Sequence, residues 1–327
     1  MSAIADSTDG SIEVVKVLVA LFPGYDTLDV AGPLEVLREA RHNPKDPCML
    51  AHSRLLYYLN REIFKTSSNK LDDPATTAFE VQFAGPSAAM TSSQGMTIKA
   101  DMDYEDAHED VEEFDVVVVP GGNGVFDVLK NKSEPAQLLS KYVEIQEKNP
   151  AKERTILAVS TGSLILGQQG LLEGLAATTH PDYYTKLEMI CQDASTRDLS
   201  MRTDVMEERY VVNNARFDLG ENPDENPYII RKRVSKEKEP QEHQRRRSIA
   251  RKGSISAQES RRRESIARRA SMPLGGTRVI TTGGVTAGLD AALYLVGSLV
   301  SHESALEVAR QLNYTWVKGV TVDAIDV

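Results

Sequence analysis

The segment 156–163 (ILAVSTGS) runs an apolar, strand-like stretch into a sharp turn that opens a helix-like stretch. A side chain at such an elbow stands above the end of a sheet, over the free N–H groups of a helix N-terminus, where developing negative charge is favoured. The residue at the elbow is Ser160. A serine hydroxyl is a weak nucleophile at its ordinary pKa and needs a base within hydrogen-bond reach. The plainer role for the same residue is a helix cap, which serine performs well. The elbow reads A-x-S-x-G over 158–162, without the first glycine of the α/β-hydrolase motif. His180 and His302 sit in stretches explained otherwise, so no Asp/His pair completes a triad. A serine hydrolase of that kind is therefore the weakest reading.

Metal and cofactor chemistry find little support in the sequence. Six histidines are scattered without close Cys/His pairing, and the expectation is no metal. The turn Gly122-Asn123-Gly124 lacks the third glycine of a dinucleotide fingerprint, Asp127 standing in its place, and no cofactor is expected. Cys48 and Cys191 are the only thiols. Neither follows a strand into a tight turn, and Cys191 fits an ordinary half-buried thiol on a helix.

The elements that must hold the elbow alternate along the chain. Strand-like stretches at 13–22 (EVVKVLVALF), 79–83, 114–119 (FDVVVV), 155–159 and 279–282 are separated by helix-like stretches at 27–41, 136–148, 161–172 and 287–300. Such alternation predicts βαβ units and a mostly parallel sheet with helices on both faces. FDVVVV is the kind of run that is buried on both faces of such a sheet. Ligands bind at the carboxyl ends of these strands, where the elbow lies.

Composition bounds the rest. The 327 residues are 41% hydrophobic and 26% charged, enough for one large α/β domain with insertions. No run of about 18 uncharged apolar residues predicts a membrane span. The start, 1–12, is small and acidic, lacks the pattern of a secretory leader, and is expected to be flexible. Two cysteines make no disulfide framework, and the expected compartment is cytoplasmic, the nucleus being the alternative.

The net charge of −10 hides an asymmetry. Residues 231–270 carry 15 Lys/Arg against 5 Asp/Glu, so the rest of the chain is strongly acidic. This stretch lies in an insert at 220–275 that is poor in large apolar residues and is predicted to be disordered. Another insert, 43–78, has no assignable role. Ser235, Ser248, Ser254, Ser265 and Ser271 each have basic residues at minus three and minus two, the pattern of basophilic kinase sites. Residues 268–273 (RRASMP) resemble a phosphoserine adaptor-binding motif. A basophilic kinase and a phosphoserine-binding adaptor are thus the expected partners through 231–273. No aromatic residue interleaves the arginines, which disfavours nucleic acid.

Motifs spread over the body resemble the ThiJ/PfpI superfamily, the class I glutamine amidotransferase-like fold, and within it the isocyanide hydratase branch. They are Leu28-Asp29-Val-Ala-Gly32-Pro33 with Glu35-Val36-Leu37; Pro120-Gly121-Gly122-Asn123-Gly124; Ser160-Thr161-Gly162-Ser163-Leu164 with Gly170-Leu171-Leu172 and Ala177-Thr178-Thr179-His180; and Thr282-Gly283-Gly284-Val-Thr286-Ala-Gly288-Leu-Asp290 with Gln311-Leu312-Asn313-Tyr314. The resemblance implies a flavodoxin-like three-layer α/β/α domain over 13–315, interrupted by the two inserts, that binds a small molecule and forms a homodimer. It implies Ser160, Asp29 and Thr161 as catalytic positions, with Gly121, Gly122, Asn123, Gly162 and His180 against the substrate.

The family's elbow nucleophile is a cysteine, and this sequence has Ser160 there. A thiol is partly ionised near neutral pH, whereas a serine hydroxyl is not. Two functions follow. One is a hydratase or hydrolase in which Ser160 attacks, Asp29 moves protons, and the Gly122 and Thr161 amides form an oxyanion hole. The other is a catalytically weakened protein that binds a small molecule or is regulated by phosphorylation.

Overall fold

A computed structural model describes residues 14–42, 77–149, 152–213 and 277–322. The predicted inserts at 43–78 and 220–275, the N-terminal stretch, Cys48 and the five kinase-type serines fall wholly or almost wholly outside the described residues.

The strands are β1 (Val15–Ala20), β2 (Phe79–Ala84), β3 (Ala89–Thr91), β4 (Thr97–Lys99), β5 (Val116–Val119), β6 (Thr155–Ala158), β7 (Ala176–Ala177), β8 (Asp204–Val205), β9 (Tyr210–Asn213), β10 (Arg278–Thr282) and β11 (Val320–Val322). The helices are α1 (Thr27–Glu39), α2 (Tyr104–Glu109), α3 (Val125–Asn131), α4 (Ala136–Lys148), α5 (Ser163–Gln168), α6 (Tyr184–Arg197), α7 (Ala287–Leu299) and α8 (His302–Gln311).

Seven strands form the central sheet in the order β11-β9-β10-β6-β5-β1-β2. The five strands from β10 to β2 are mutually parallel, and β9 runs antiparallel to β10 with β11 alongside it. The expected α/β class, with a mostly parallel sheet and helices, is what the chain adopts. All four valines of β5 are buried, as its uninterrupted apolar run requires of a strand covered on both faces. Helices α1, α7 and α8 pack together, while α3 to α6 pack against one another in a separate group.

Small residues bring α1 close to the elbow. A Cβ added at Gly288 on α7 would lie 3.0 Å from Val159, the residue before Ser160, and 3.4 Å from Pro33 of α1. One at Gly32 would lie 3.2 Å from Leu289. The helix carrying Asp29 is thereby seated beside the end of β6.

Several local readings need correction. The helix expected at 161–172 is a 3-10 turn, Ser160–Gly162, followed by the six-residue α5. It stops because Gly170 takes φ +75°, ending the helix in a left-handed turn. Strand β9, the edge strand β11 and the short pairs β3–β4 and β7–β8 carry no signal in the sequence, their apolar runs being short and broken by polar residues. Cys191 is buried rather than half-buried, and burial pushes its thiol pKa up.

Candidate active site

Ser160 sits at φ +53°, a left-handed conformation that a residue with a side chain adopts only when its surroundings hold it there. Those surroundings are visible. Its amide donates to Thr282 Oγ1 at the end of β10 (3.1 Å), and its carbonyl accepts from Ser163 Oγ (3.0 Å) and Thr179 Oγ1 (3.2 Å). The capping role offered for Ser160 is not what the side chain does. Its hydroxyl makes no hydrogen bond among the described residues, and the short helix α5 starts after Gly162 without a side-chain cap. The residue is 2% exposed.

Asp29, in the first turn of α1, is fully buried rather than the surface carboxylate that helix position alone would suggest. Its Oδ2 accepts the Gly121 amide at 2.9 Å, while Oδ1 is buried without a partner among the described residues. Burial pushes its pKa up to about 7; the Gly121 hydrogen bond opposes this and the Asp26 carboxylate adds to it. Near neutral pH the group therefore carries a proton a substantial fraction of the time.

Gly121 is the point where the site converges. A Cβ there would lie 2.7 Å from Thr161 Oγ1, 2.8 Å from Asp29 Oδ2 and 2.8 Å from the Thr161 amide nitrogen. The glycine lets the β5 turn pass between the carboxyl and the residue after the elbow. Gly122, at φ +125°, is equally constrained, since a Cβ would meet the Gly24 carbonyl oxygen at 2.5 Å.

The Gly122 amide does not stand free as the expected oxyanion donor. It donates to Thr161 Oγ1 at 3.0 Å, so the threonine hydroxyl fills the place an oxyanion would take. Gly162 is buried beneath the turn, where a Cβ would lie 2.6 Å from the Val119 carbonyl oxygen, and so acts in packing the elbow on β5. Asn123 is exposed beside the turn. His180, expected against the substrate, lies beyond the sheet strands. It follows the two-residue β7 and starts a 3-10 turn, its Nδ1 accepting the Asp182 amide at 3.3 Å. Its neighbour Thr179 is the link to Ser160.

Two contributors escaped the sequence reading. Thr282, 122 residues from the elbow in sequence, holds the Ser160 amide. Gln94, in the β3–β4 turn, donates to Asp26 Oδ1 at 2.8 Å and accepts the Thr27 amide at 2.8 Å, fastening the start of α1. Nothing in the local sequence points to either. Among the described residues no group of His, Cys, Asp and Glu could hold a metal ion.

A strand-to-helix elbow at the carboxyl end of a mostly parallel sheet, with the buried Asp29 carboxyl reaching the neighbouring Gly121 turn, defines an α/β protein with its candidate site at that elbow. Residues 57–216 match the DJ-1/PfpI family, and the chain carries a domain of that family. A 98-residue stretch is 35% identical to isonitrile hydratase of Pseudomonas putida, covering 30% of this chain and 38% of that enzyme. The match thus spans little more than a third of the hydratase. A Streptomyces lividans protein described as uncharacterized, in the cpoL 5' region, is 28% identical over 176 residues, 54% of this chain and 94% of that one. Among solved structures, a ThiJ/PfpI family protein of Pseudomonas syringae superposes with TM-score 0.47 at 18% identity, covering 96% of this chain and 81% of that one. Drosophila melanogaster DJ-1beta gives TM-score 0.48 at 15% identity, covering 93% and 100%.

Proposed function

We propose that the elbow pocket binds a small molecule of the isonitrile or N-formamide type and has lost most of the turnover that a hydratase performs on it. Hydration of an isonitrile, R–NC plus water giving R–NH–CHO, needs attack on the terminal carbon and delivery of a proton to it. The proton half is supported by Asp29, which is buried and carries a proton a substantial fraction of the time near neutrality. The attack half lacks its base. The observation that carries the reading is that the hydrogen bonds of Ser160 among the described residues run through its backbone amide and carbonyl, leaving its hydroxyl with no base to take its proton.

Binding is tested by titrating an aryl isonitrile into the wild-type protein and into Gly121→Val. Saturable binding by the wild type, weakened in the variant whose side chain fills the space between Asp29 and Thr161, is the expected result. No saturable binding by the wild type ends the reading. A second reading, slow hydration by Ser160 with Asp29 as the acid, is favoured by the same proton on Asp29.

We further infer that Ser235, Ser248, Ser254, Ser265 and Ser271 are phosphorylated by a basophilic kinase and that 268–273 then recruits a phosphoserine adaptor. Each phosphate adds about −1.5 to −2 charge, enough for five to cancel the basic excess of 231–270. Intact-mass analysis after kinase treatment checks this, and no added phosphate on that segment ends it. Assembly as a homodimer and the domain limits 13–315 belong to the same proposal and rest on the family resemblance. No described helix is long and apolar enough to cross a membrane.

A further inference from the structure

At the opposite end of the sheet from Ser160, where β1, β5, β6 and β10 begin, cations and carboxylates pair off three times. Lys16 Nζ meets Glu113 Oε2 at 2.6 Å, Lys152 Nζ meets Asp115 Oδ1 at 2.9 Å, and Arg278 Nη2 meets Glu153 Oε2 at 3.1 Å. Arg154 is the fourth cation, and among the described residues no carboxylate answers it. It is 2% exposed. Its Nη2 reaches the Glu112 carbonyl oxygen at a long 3.4 Å, while Nε and Nη1 are buried with no acceptor among the described residues.

Arg154 and Arg278 stand at the starts of adjacent strands. The Arg278 amide donates to the Arg154 carbonyl at 2.9 Å, and Arg278 itself is 3% exposed. Both guanidiniums lie near the buried Tyr142 of α4. Burial pushes the Tyr142 hydroxyl pKa well up, Asp115 adds to the rise, and the two arginine charges pull against it. Glu153, the carboxylate paired with Arg278, is 51% exposed.

A guanidinium does not give up its proton, and an ionised group buried without a counter-charge is costly. That cost is relieved when an anion arrives. We propose that Arg154 anchors an anion site that takes a phosphate group at the amino end of the sheet. Guanidinium donors match phosphate oxygens in charge and geometry. The chain also carries a potential source. β9 ends at Asn213 opposite Val279 near the start of β10, so the segment 214–276 with its five kinase-type serines is joined to this edge of the sheet at both ends. Tethering raises the effective concentration of any phosphoserine there. The site stands on Arg154 for free phosphate; only its phosphoserine source rests on the phosphorylation proposed above.

The test titrates inorganic phosphate into full-length unphosphorylated protein at fixed ionic strength, followed by Tm and by phosphorus NMR line width. Wild type is expected to show a saturable rise in Tm and line broadening. Both should be lost in Arg154→Gln and kept in Arg197→Gln, which removes an exposed guanidinium paired with Asp198. If Arg154→Gln does not fold, Glu153→Gln decides. Freeing Arg278 of its carboxylate should tighten phosphate binding severalfold, and an unchanged or weaker affinity overturns the proposal. A phosphate response no larger than that to chloride, or equal in Arg154→Gln, also overturns it. Kinase-treated protein then separates the sources. A lost response to added phosphate assigns the occupant to phosphoserine, and an unchanged response assigns it to free phosphate; either outcome supports the site.

Discussion

The Gly121 amide donates to Asp29 Oδ2 at 2.9 Å, and that one bond is the only partner the buried carboxyl has among the described residues. It couples the β5 turn to α1 and leaves Oδ1 unpaired beside the elbow. Burial with one oxygen unpaired favours the neutral acid over the carboxylate.

The first concerns pH. The folded-state pKa of Asp29 is raised from 3.8 to about 7, so between those values the native chain holds a proton that the unfolded chain has released. Stability from this group is present below about pH 4 and is lost as pH rises to 7. A shift of this size corresponds to at most about 4 kcal/mol. Asp29→Asn keeps an acceptor for the Gly121 amide and removes the charge. It should be more stable than wild type at pH 8 and lose most of that advantage at pH 4, as urea unfolding at the two values would show. An equal difference at both contradicts the burial argument.

The elbow gives the second. Ser160 holds φ +53° and its hydroxyl bonds to nothing among the described residues. Ser160→Gly should therefore stabilise the fold by about 1 kcal/mol, since glycine takes the left-handed conformation without a steric cost. A loss of stability in denaturant titration would mean the hydroxyl has a partner that matters.

Gly121→Ala is the third. Its methyl group would crowd Thr161 Oγ1 and Asp29 Oδ2 at under 3 Å, so neither can keep its place. The expected outcome is a fold destabilised by about 1–3 kcal/mol, the range for overpacking, with ligand binding weakened more than tenfold. Calorimetry of unfolding and of ligand binding measures the two effects separately. Unaltered binding would show that Gly121 does not hold the site together.

How much of this could be read from sequence divides by length scale. FDVVVV at 114–119 and ILAV at 156–159 announced buried parallel strands, because an uninterrupted apolar run has few other homes. β9 and β11 did not, since YVVN and VTV each hold a polar residue that breaks the apolar run, and the antiparallel pairing of β9 with β10 joins segments more than 60 residues apart. At the site, the elbow was legible from its strand–turn–helix order. The hydrogen bond from Gly122 to Thr161 Oγ1 was not, because it joins residues 39 apart whose approach depends on the packed sheet.

The fourth prediction lies outside the elbow. Asp290 is fully buried, and its Oδ2 accepts from Arg209 Nε at 2.7 Å and from the Tyr314 hydroxyl at 3.1 Å; its Oδ1 accepts the Val317 amide at 2.7 Å. It ties β9, α7 and the chain leading to β11. Arg209 is 30% exposed and keeps Thr286 Oγ1 and the Tyr314 hydroxyl as partners, so Asp290→Ala should cost about 1–3 kcal/mol, the range for leaving buried polar groups unpaired. Chemical denaturation checks it. A loss below about 1 kcal/mol would mark the cluster as a surface ion pair.

On the proposed reading the elbow still binds its ligand while Ser160 limits the chemistry. Formamide production from an aryl isonitrile, measured for wild type beside Ser160→Cys, tests it most directly. Little or no turnover by the wild type and clear turnover by Ser160→Cys is the expected result, because the thiol ionises where the hydroxyl does not. Wild-type turnover matching that of Ser160→Cys, and abolished by Ser160→Ala, would contradict it.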